Sequence, residues 1–204
     1  MKKIMFYDKY GLTQAVLDGR KTMTRRIFYI PDKLVPYLDI YDIFDIVDDC
    51  IIWKDKSDNI RMTFEPKYKV GEVVAIAQSY KDIGYNGEYS WVQDGIHYHR
   101  DRAAGWANKM FVKVNLMPHH IEITDIKVER LQDISDEDCL KEGIVKGKCG
   151  SESTHFMDAY YVPKEKQPYC TPRDAFEVLI DKVSGKGVFK SNPYVFVYEF
   201  KLLD

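Results

Sequence analysis

An α+β fold is predicted from three features of this sequence. Apolar residues alternate along well-separated stretches, most clearly from Ile121 to Leu131 and from Tyr194 to Leu202, and a period of two marks strands. Two other stretches carry helix punctuation: Ser135 ahead of Asp136-Glu137-Asp138, and Thr171-Pro172 ahead of an apolar stripe. Strands and short helices are interleaved without the regular βαβ order of a parallel sheet. With 204 residues, 45% hydrophobic and 30% charged, the chain is expected to form one globular domain, 1–204.

Taken in order, Met5 and Phe6 form a short apolar opening. Leu12, Ala15 and Val16 repeat at i, i+3, i+4 and predict a short helix, with Gly19 at the left-handed position past its end. Threonines and alternation favour an extended segment over 20–27. From Asp39 to Asp58 seven aspartates mix with Tyr, Ile and Phe and suggest a solvated acidic face. Within it, Cys50–Trp53 and Ile60–Phe64 flank a polar turn and predict a hairpin. Tyr68–Glu72 reads as a turn into a buried strand, Val73–Ala77. Residues 81–109 read as a long loop that carries a hairpin around Tyr89–Val92 and Ile96–Tyr98. The strand from Ile121 to Leu131 breaks its alternation once, which predicts a bulge or bend.

Asp136–Glu142 is a predicted two-turn helix, closed by Gly143 and the apolar Ile144. Residues 145–170, with Gly147, Gly150, Pro163 and Pro168, read as a second loop. The helix from Pro172 carries the stripe Ala175, Phe176, Leu179, Ile180 and Val183, and Gly185 stops it. Ser191-Asn192-Pro193 turns the chain into the closing strand Tyr194–Leu202.

Composition narrows the function classes. The formal charge is −2, from 30 Lys+Arg against 32 Asp+Glu. Nonspecific coating of a polyanion draws its affinity from phosphate neutralisation and needs a large positive excess, so contact with nucleic acid would have to use a local basic site. Aromatic residues reach 14%, led by 15 Tyr, a residue that suits half-buried strands and base-stacking surfaces alike. Cys50, Cys139, Cys149 and Cys170 lack metal-ligand spacing, and His119-His120 is an isolated pair; neither a metal nor a cofactor is expected. The opening MKKIMFYDKY has no signal-peptide apolar run, and no stretch approaches the ~18 apolar residues of a membrane span. A cytoplasmic location with no membrane partner is the expectation.

The clearest basic focus is Gly19-Arg20-Lys21-Thr22-Met23-Thr24-Arg25-Arg26, where Arg20, Lys21, Arg25 and Arg26 stand without an acid among them. Such a run is either an edge strand guarded by cations against pairing or a site that grips phosphates and base edges.

Leu17 through Arg26 resembles the G-x-K-T-x-T-x-R signature that opens ASCH domains, which are PUA-like. Tyr68-Lys69-Val70-Gly71-Glu72-Val73-Val74 resembles their turn and second strand. The stretch from Ile123 through Ser135 to Glu142-Gly143-Ile144, and Asn192-Pro193 through Phe200, are similar to phage- and prophage-type members. The matches fall in the expected order and leave insertions at about 31–66 and 81–110. The resemblance implies a small PUA-like β-barrel with flanking short helices, and RNA or a modified nucleoside as the partner, bound beside Arg20, Lys21, Arg25 and Arg26. More distantly, the chain resembles bacterial enzymes that hydrolyse the amide of acetylcytidine. That likeness places their lysine on Lys21, their nucleophilic threonine on Thr24 and their glutamate on Glu142. Where phage-type relatives carry Arg-Glu-Thr-Trp, this chain has Ala77-Gln78-Ser79-Tyr80, so Gln78 and Tyr80 are the expected ligand contacts there, with a core position as the alternative for Tyr80.

Three functions follow: binding of RNA or a modified nucleoside, hydrolysis of an N-acylated cytidine, or a phage accessory role in which segment 39–58 meets a protein partner. For the hydrolase, a threonine hydroxyl needs a base or a nearby positive charge to attack. Glu142, at a helix C-terminus, is disfavoured by the helix dipole, which suits proton transfer unless Lys21 pairs with it. Lys21 and Thr24 are three positions apart and would face opposite sides of an ideal strand, so the set closes only if Lys21 precedes the strand. All three are expected in a wet cleft rather than the core.

Overall fold

The computed structural model describes residues 1–204 except 32, 33, 35, 37–42, 56, 85–90, 94, 95, 99–103 and 152–154; at 43, 91–93 and 96–98 it describes the backbone alone. The chain is mixed α+β. A five-stranded sheet runs in the order β1 (Lys2–Ile4), β6 (Val73–Ile76), β9 (His120–Arg130), β13 (Tyr194–Leu202) and β2 (Met23–Ile27). Only β1 and β6 are parallel; the other neighbours are antiparallel. The three strands read as buried, β6, β9 and β13, are consecutive in this sheet. The described strands leave β1 and β2 at its edges and do not close a barrel.

The predicted bulge lies in β9. Glu199 pairs with Asp125 and Phe200 with Ile123, so Thr124 is the extra residue. It resets the alternation, so that Ile121 and Ile123 before it and Ile126 and Val128 after it are all buried.

Around the main sheet stand α1 (Leu12–Leu17), α2 (Asp136–Lys141), α3 (Pro172–Ser184) and α4 (Val188–Ser191). Their starts follow the sequence signals: Ser135 Oγ accepts from Asp138 N–H, and Thr171 Oγ1 accepts from Asp174 N–H. The α3 stripe Phe176, Leu179 and Ile180 joins the sheet residues in one hydrophobic core. Burying such a side chain stabilises by about 1.5–3 kcal/mol, so the stripe anchors α3.

Three smaller sheets decorate this frame. The predicted hairpin is β4 (Cys50–Lys54) with β5 (Ile60–Phe64), and β3 (Ile43–Val47) completes a meander that the sequence did not signal. It docks through Phe28, whose ring lies 4.8 Å from Phe64, 6.1 Å from Phe44 and 6.4 Å from Phe196. The hairpin within 81–109 is β7 (Trp91–Gln93) with β8 (Ile96–Tyr98); Tyr89 lies outside the described residues. So do Asp39 and Asp42 of the acidic segment.

One expectation is corrected. Residues 145–170 are not a loop: β10 (Val145–Ser151), β11 (His155–Tyr161) and β12 (Pro168–Tyr169) form an antiparallel sheet. Val145–Ser151 is almost wholly exposed on both faces, so no burial period marks it in the sequence. The sequence did not signal β1, which ends before Met5 and Phe6, or α4, which precedes the turn at Asn192. Among the described residues, no helix is long and apolar enough to cross a membrane, and no group of three or more His, Cys, Asp or Glu could hold a metal ion.

Candidate functional site

Two helix ends build the site. At the end of α1, Gly19 N–H bonds to Val16 O at 2.9 Å and Arg20 N–H to Ala15 O at 2.9 Å, a Schellman turn with Gly19 at φ 71°. Ala15 O also accepts from Lys21 N–H, so the turn delivers Lys21 ahead of β2, which begins at Met23. The spacing conflict between Lys21 and Thr24 is thereby removed. At the end of α2, Gly143 N–H bonds to Leu140 O and Ile144 N–H to Cys139 O, a second Schellman turn that leaves Glu142 as the capping residue. Thr22 N–H bonds to Lys141 O at 3.0 Å and ties the two turns together. Gly143 is required by its φ of 107°, which L side chains rarely adopt; a Cβ there would make only ordinary contact, 3.4 Å from Leu12 Cδ2 and 3.7 Å from Lys21 Cδ.

Lys21 and Glu142 meet inside this junction. Lys21 Nζ donates to Glu142 Oε2 at 2.6 Å, to Glu142 O at 2.7 Å and to Met23 O at 2.7 Å. The three donors of the ammonium are thus all placed. The side chains are 2% and 7% exposed, so the wet cleft expected for them is instead a buried pair. Burial is the main influence on Lys21 and holds its pKa below the ordinary lysine value, with Arg26 and Arg25 adding to the drop and Glu142 opposing it.

Arg25 sits beside the pair with its side chain fully buried. Its fork donates to Glu129 Oε1 at 2.9 and 2.7 Å, to Asp138 Oδ2 at 2.8 Å and to Glu142 Oε1 at 3.3 Å. Burial alone would lower the Arg25 pKa, but Glu142 and Glu129 outweigh it and hold it above the usual value. Lys127 Nζ closes the network on Glu129 at 3.1 Å and Asp138 at 3.3 Å. The guanidinium that the basic motif offered to a phosphate is thus consumed by three carboxylates.

A cavity of about 590 Å³ opens over these groups. Lys21, Thr24, Arg25, Arg26 and Glu142 give it a polar floor; Leu12, Phe176, Leu179 and Ile180 give an apolar wall; Tyr7 and Tyr29 are exposed at its rim. Thr24 is buried in β2, and its hydroxyl makes no hydrogen bond to a described residue. The three side chains of the hydrolase set therefore line one pocket. The α3 wall, Tyr7 and Lys109 were not anticipated as site residues, because the stripe carries an ordinary core signal and Lys109 lies in a segment without pattern.

The remaining candidates lie elsewhere. Arg20 is exposed and pairs with Asp18 at 2.8 Å, away from the cavity lining. Gln78 and Tyr80 are buried and do not line it. Tyr80 packs with Ala75, Val112 and Met117 in a satellite core, so close to Gly105 that a Cβ there would overlap its ring. Comparison with family models, with curated proteins and with solved structures finds no match to this chain.

Proposed function

We propose that this chain takes an N-acylated, cytosine-like nucleoside into the cavity and hydrolyses its amide, in the manner of the ASCH-type enzymes its opening motif resembles. The observation that carries the reading is the buried Lys21–Glu142 pair, at 2.6 Å, on the same pocket floor as Thr24, whose hydroxyl has no described partner. A cavity of about 590 Å³ with one apolar wall falls in the size range of small-molecule sites. In the reaction, Thr24 Oγ1 bonds to the acyl carbon and its proton passes to the Glu142 carboxylate. Lys21 exchanges one of its carbonyl partners for the acyl oxygen and stabilises the charge that develops there. The proton then moves to the leaving amine as the C–N bond breaks, and water cleaves the Thr24 ester to release the acid. The lowered pKa of Lys21 is in the direction that eases proton movement within the pair.

A second reading keeps the pocket and drops the chemistry. It is favoured by the placement of all three Lys21 donors, which is also what a rigid binding floor requires. The two separate on acetate release from N-acetylcytidine. Thr24→Ala should abolish it, Thr24→Ser should retain part of it, and Glu142→Gln should lower it by roughly 10²–10⁴. Pairs of these substitutions should cost little more than one, because groups acting as a unit fail together. A wild-type protein inert toward a panel of N-acylated nucleosides, yet able to bind them, would leave the binding function alone.

A further inference from the structure

The cavity walls carry more cations than the proposed reaction uses, and all but one of them are neutralised internally. Lys21 is matched by Glu142, and Arg25 by Glu129 and Asp138. Lys109, also on the lining, is matched by Asp8 at 2.7 Å. Arg26 is the exception, with no carboxylate partner among the described residues. Its guanidinium lies 5.7 Å from the centre of the Phe6 ring and donates through one nitrogen to Met5 O at 2.6 Å. The rest of its donor fork makes no bond to a described residue. Burial works against its charge, with Tyr68, Glu142 and Tyr198 supporting it.

Arg26 also lies at a boundary. With Met5 and Ile27 it lines a second cavity, of about 410 Å³. There the charged residues are Lys3, Lys67 and Glu65. Lys3 donates to three carbonyls (Lys109, Met110 and Val112) and has no acid partner among the described residues. Lys67 Nζ lies 5.3 Å from the centre of the Tyr68 ring, likewise without an acid partner among the described residues. Three cations against one carboxylate leave a local positive excess in a chain whose total charge is −2. A half-buried arginine fork with open donors, between two cavities and facing that excess, matches the geometry of a phosphate.

We infer that Arg26 binds a phosphate carried by the ligand, so that the substrate class is a phosphorylated nucleoside, with its base in the first cavity and its phosphate at the Arg26 boundary. This rests on the nucleoside reading of the first cavity but not on its chemistry, so binding tests it apart from hydrolysis. Calorimetric titration in phosphate-free buffer should show cytidine 5′-monophosphate binding the wild type about 10- to 100-fold more tightly than cytidine, the range of a charge-assisted hydrogen bond to a partly buried cation. Arg26→Gln should collapse that ratio toward one. Arg26→Lys keeps the charge but loses the fork, and should leave an intermediate ratio. Should Arg26→Gln not fold, the wild-type ratio and the lysine variant still decide. A wild-type ratio near one, or a ratio that survives in Arg26→Gln, overturns the inference. Inorganic phosphate binding as tightly as the nucleotide also overturns it, because the site would then recognise an anion and not a nucleotide. Absence of acetate release from acylated substrates would bear only on the hydrolase reading.

Discussion

Replacing Glu142 with leucine would leave the Lys21 ammonium in a 2%-exposed site with two backbone carbonyls and no counter-charge. Breaking a buried ion pair from one side costs about 3–5 kcal/mol, because the remaining charge can neither be solvated nor matched. Lys21→Met should cost less, about 2–3 kcal/mol, because the Glu142 carboxylate still has Arg25 Nη1 at 3.3 Å. The double substitution removes both charges and should cost well under the sum of the singles, with a coupling of about 2 kcal/mol or more. Urea unfolding followed by tryptophan fluorescence reads this directly. With a slope of about 2–3 kcal/mol per molar, the Glu142→Leu midpoint should fall by on the order of 1–2 M. Strict additivity of the two singles, within about 0.5 kcal/mol, would refute the reasoning. It would mean that the pair is solvated in solution and that the pocket floor is not the rigid element inferred from its burial.

Two further perturbations test neighbouring parts of the same junction. Gly143→Ala places a side chain at φ 107°, where L residues are strained even though the space around it is open to an ordinary contact, and should destabilise by about 1–2 kcal/mol; an unchanged melting temperature would contradict that strain. Burial pushes the Cys139 thiol up to about 12, so native protein should leave Cys139 unmodified by a thiol reagent that reaches exposed Cys170, until urea exposes it. The sign follows from the raised value. The unfolded chain loses this proton first, so the stability linked to Cys139 is full below about pH 8.5 and is lost as pH climbs toward 12. Tyr68 and Tyr198, also raised, add loss in the same alkaline direction, whereas the lowered Lys21 opposes it.

What was legible in the sequence is what one-sided burial writes into it. The strands β6, β9 and β13 and the stripe of α3 sit against the core, so apolar spacing marked them, and the exposed Thr124 showed as the break in that spacing. The three residues of β1 are too few to show a period, and the hairpin of β10 and β11 has mostly exposed faces. Gln78 and Tyr80 were placed beside a ligand by the family resemblance, yet both are buried away from the cavity, Tyr80 in a satellite core. The lysine, threonine and glutamate of the motif do share a pocket, because a Schellman turn lifts Lys21 out of strand register. That turn had a sequence signal in Gly19. The Arg25 network had none, because it joins residues 104 and 113 positions apart.

The distinction between counting cations and counting their partners decides what the basic motif does. Read along the chain, Arg20, Lys21, Arg25 and Arg26 form a patch suited to a polyanion. In the fold, Arg20 turns back to Asp18, while Lys21 and Arg25 point inward to carboxylates from β9 and α2. A phosphate backbone gains affinity by displacing mobile counterions, and cations already matched by buried carboxylates have few to release. The same pairing raises the value of a single unmatched cation. Arg26 works in partly dehydrated surroundings, where one charge interacts more strongly than several exposed ones. Under the proposed function, a motif that would give loose, salt-sensitive adhesion on an open strand serves instead as a site for one small ligand, with rigidity supplied by the paired charges and recognition by Arg26.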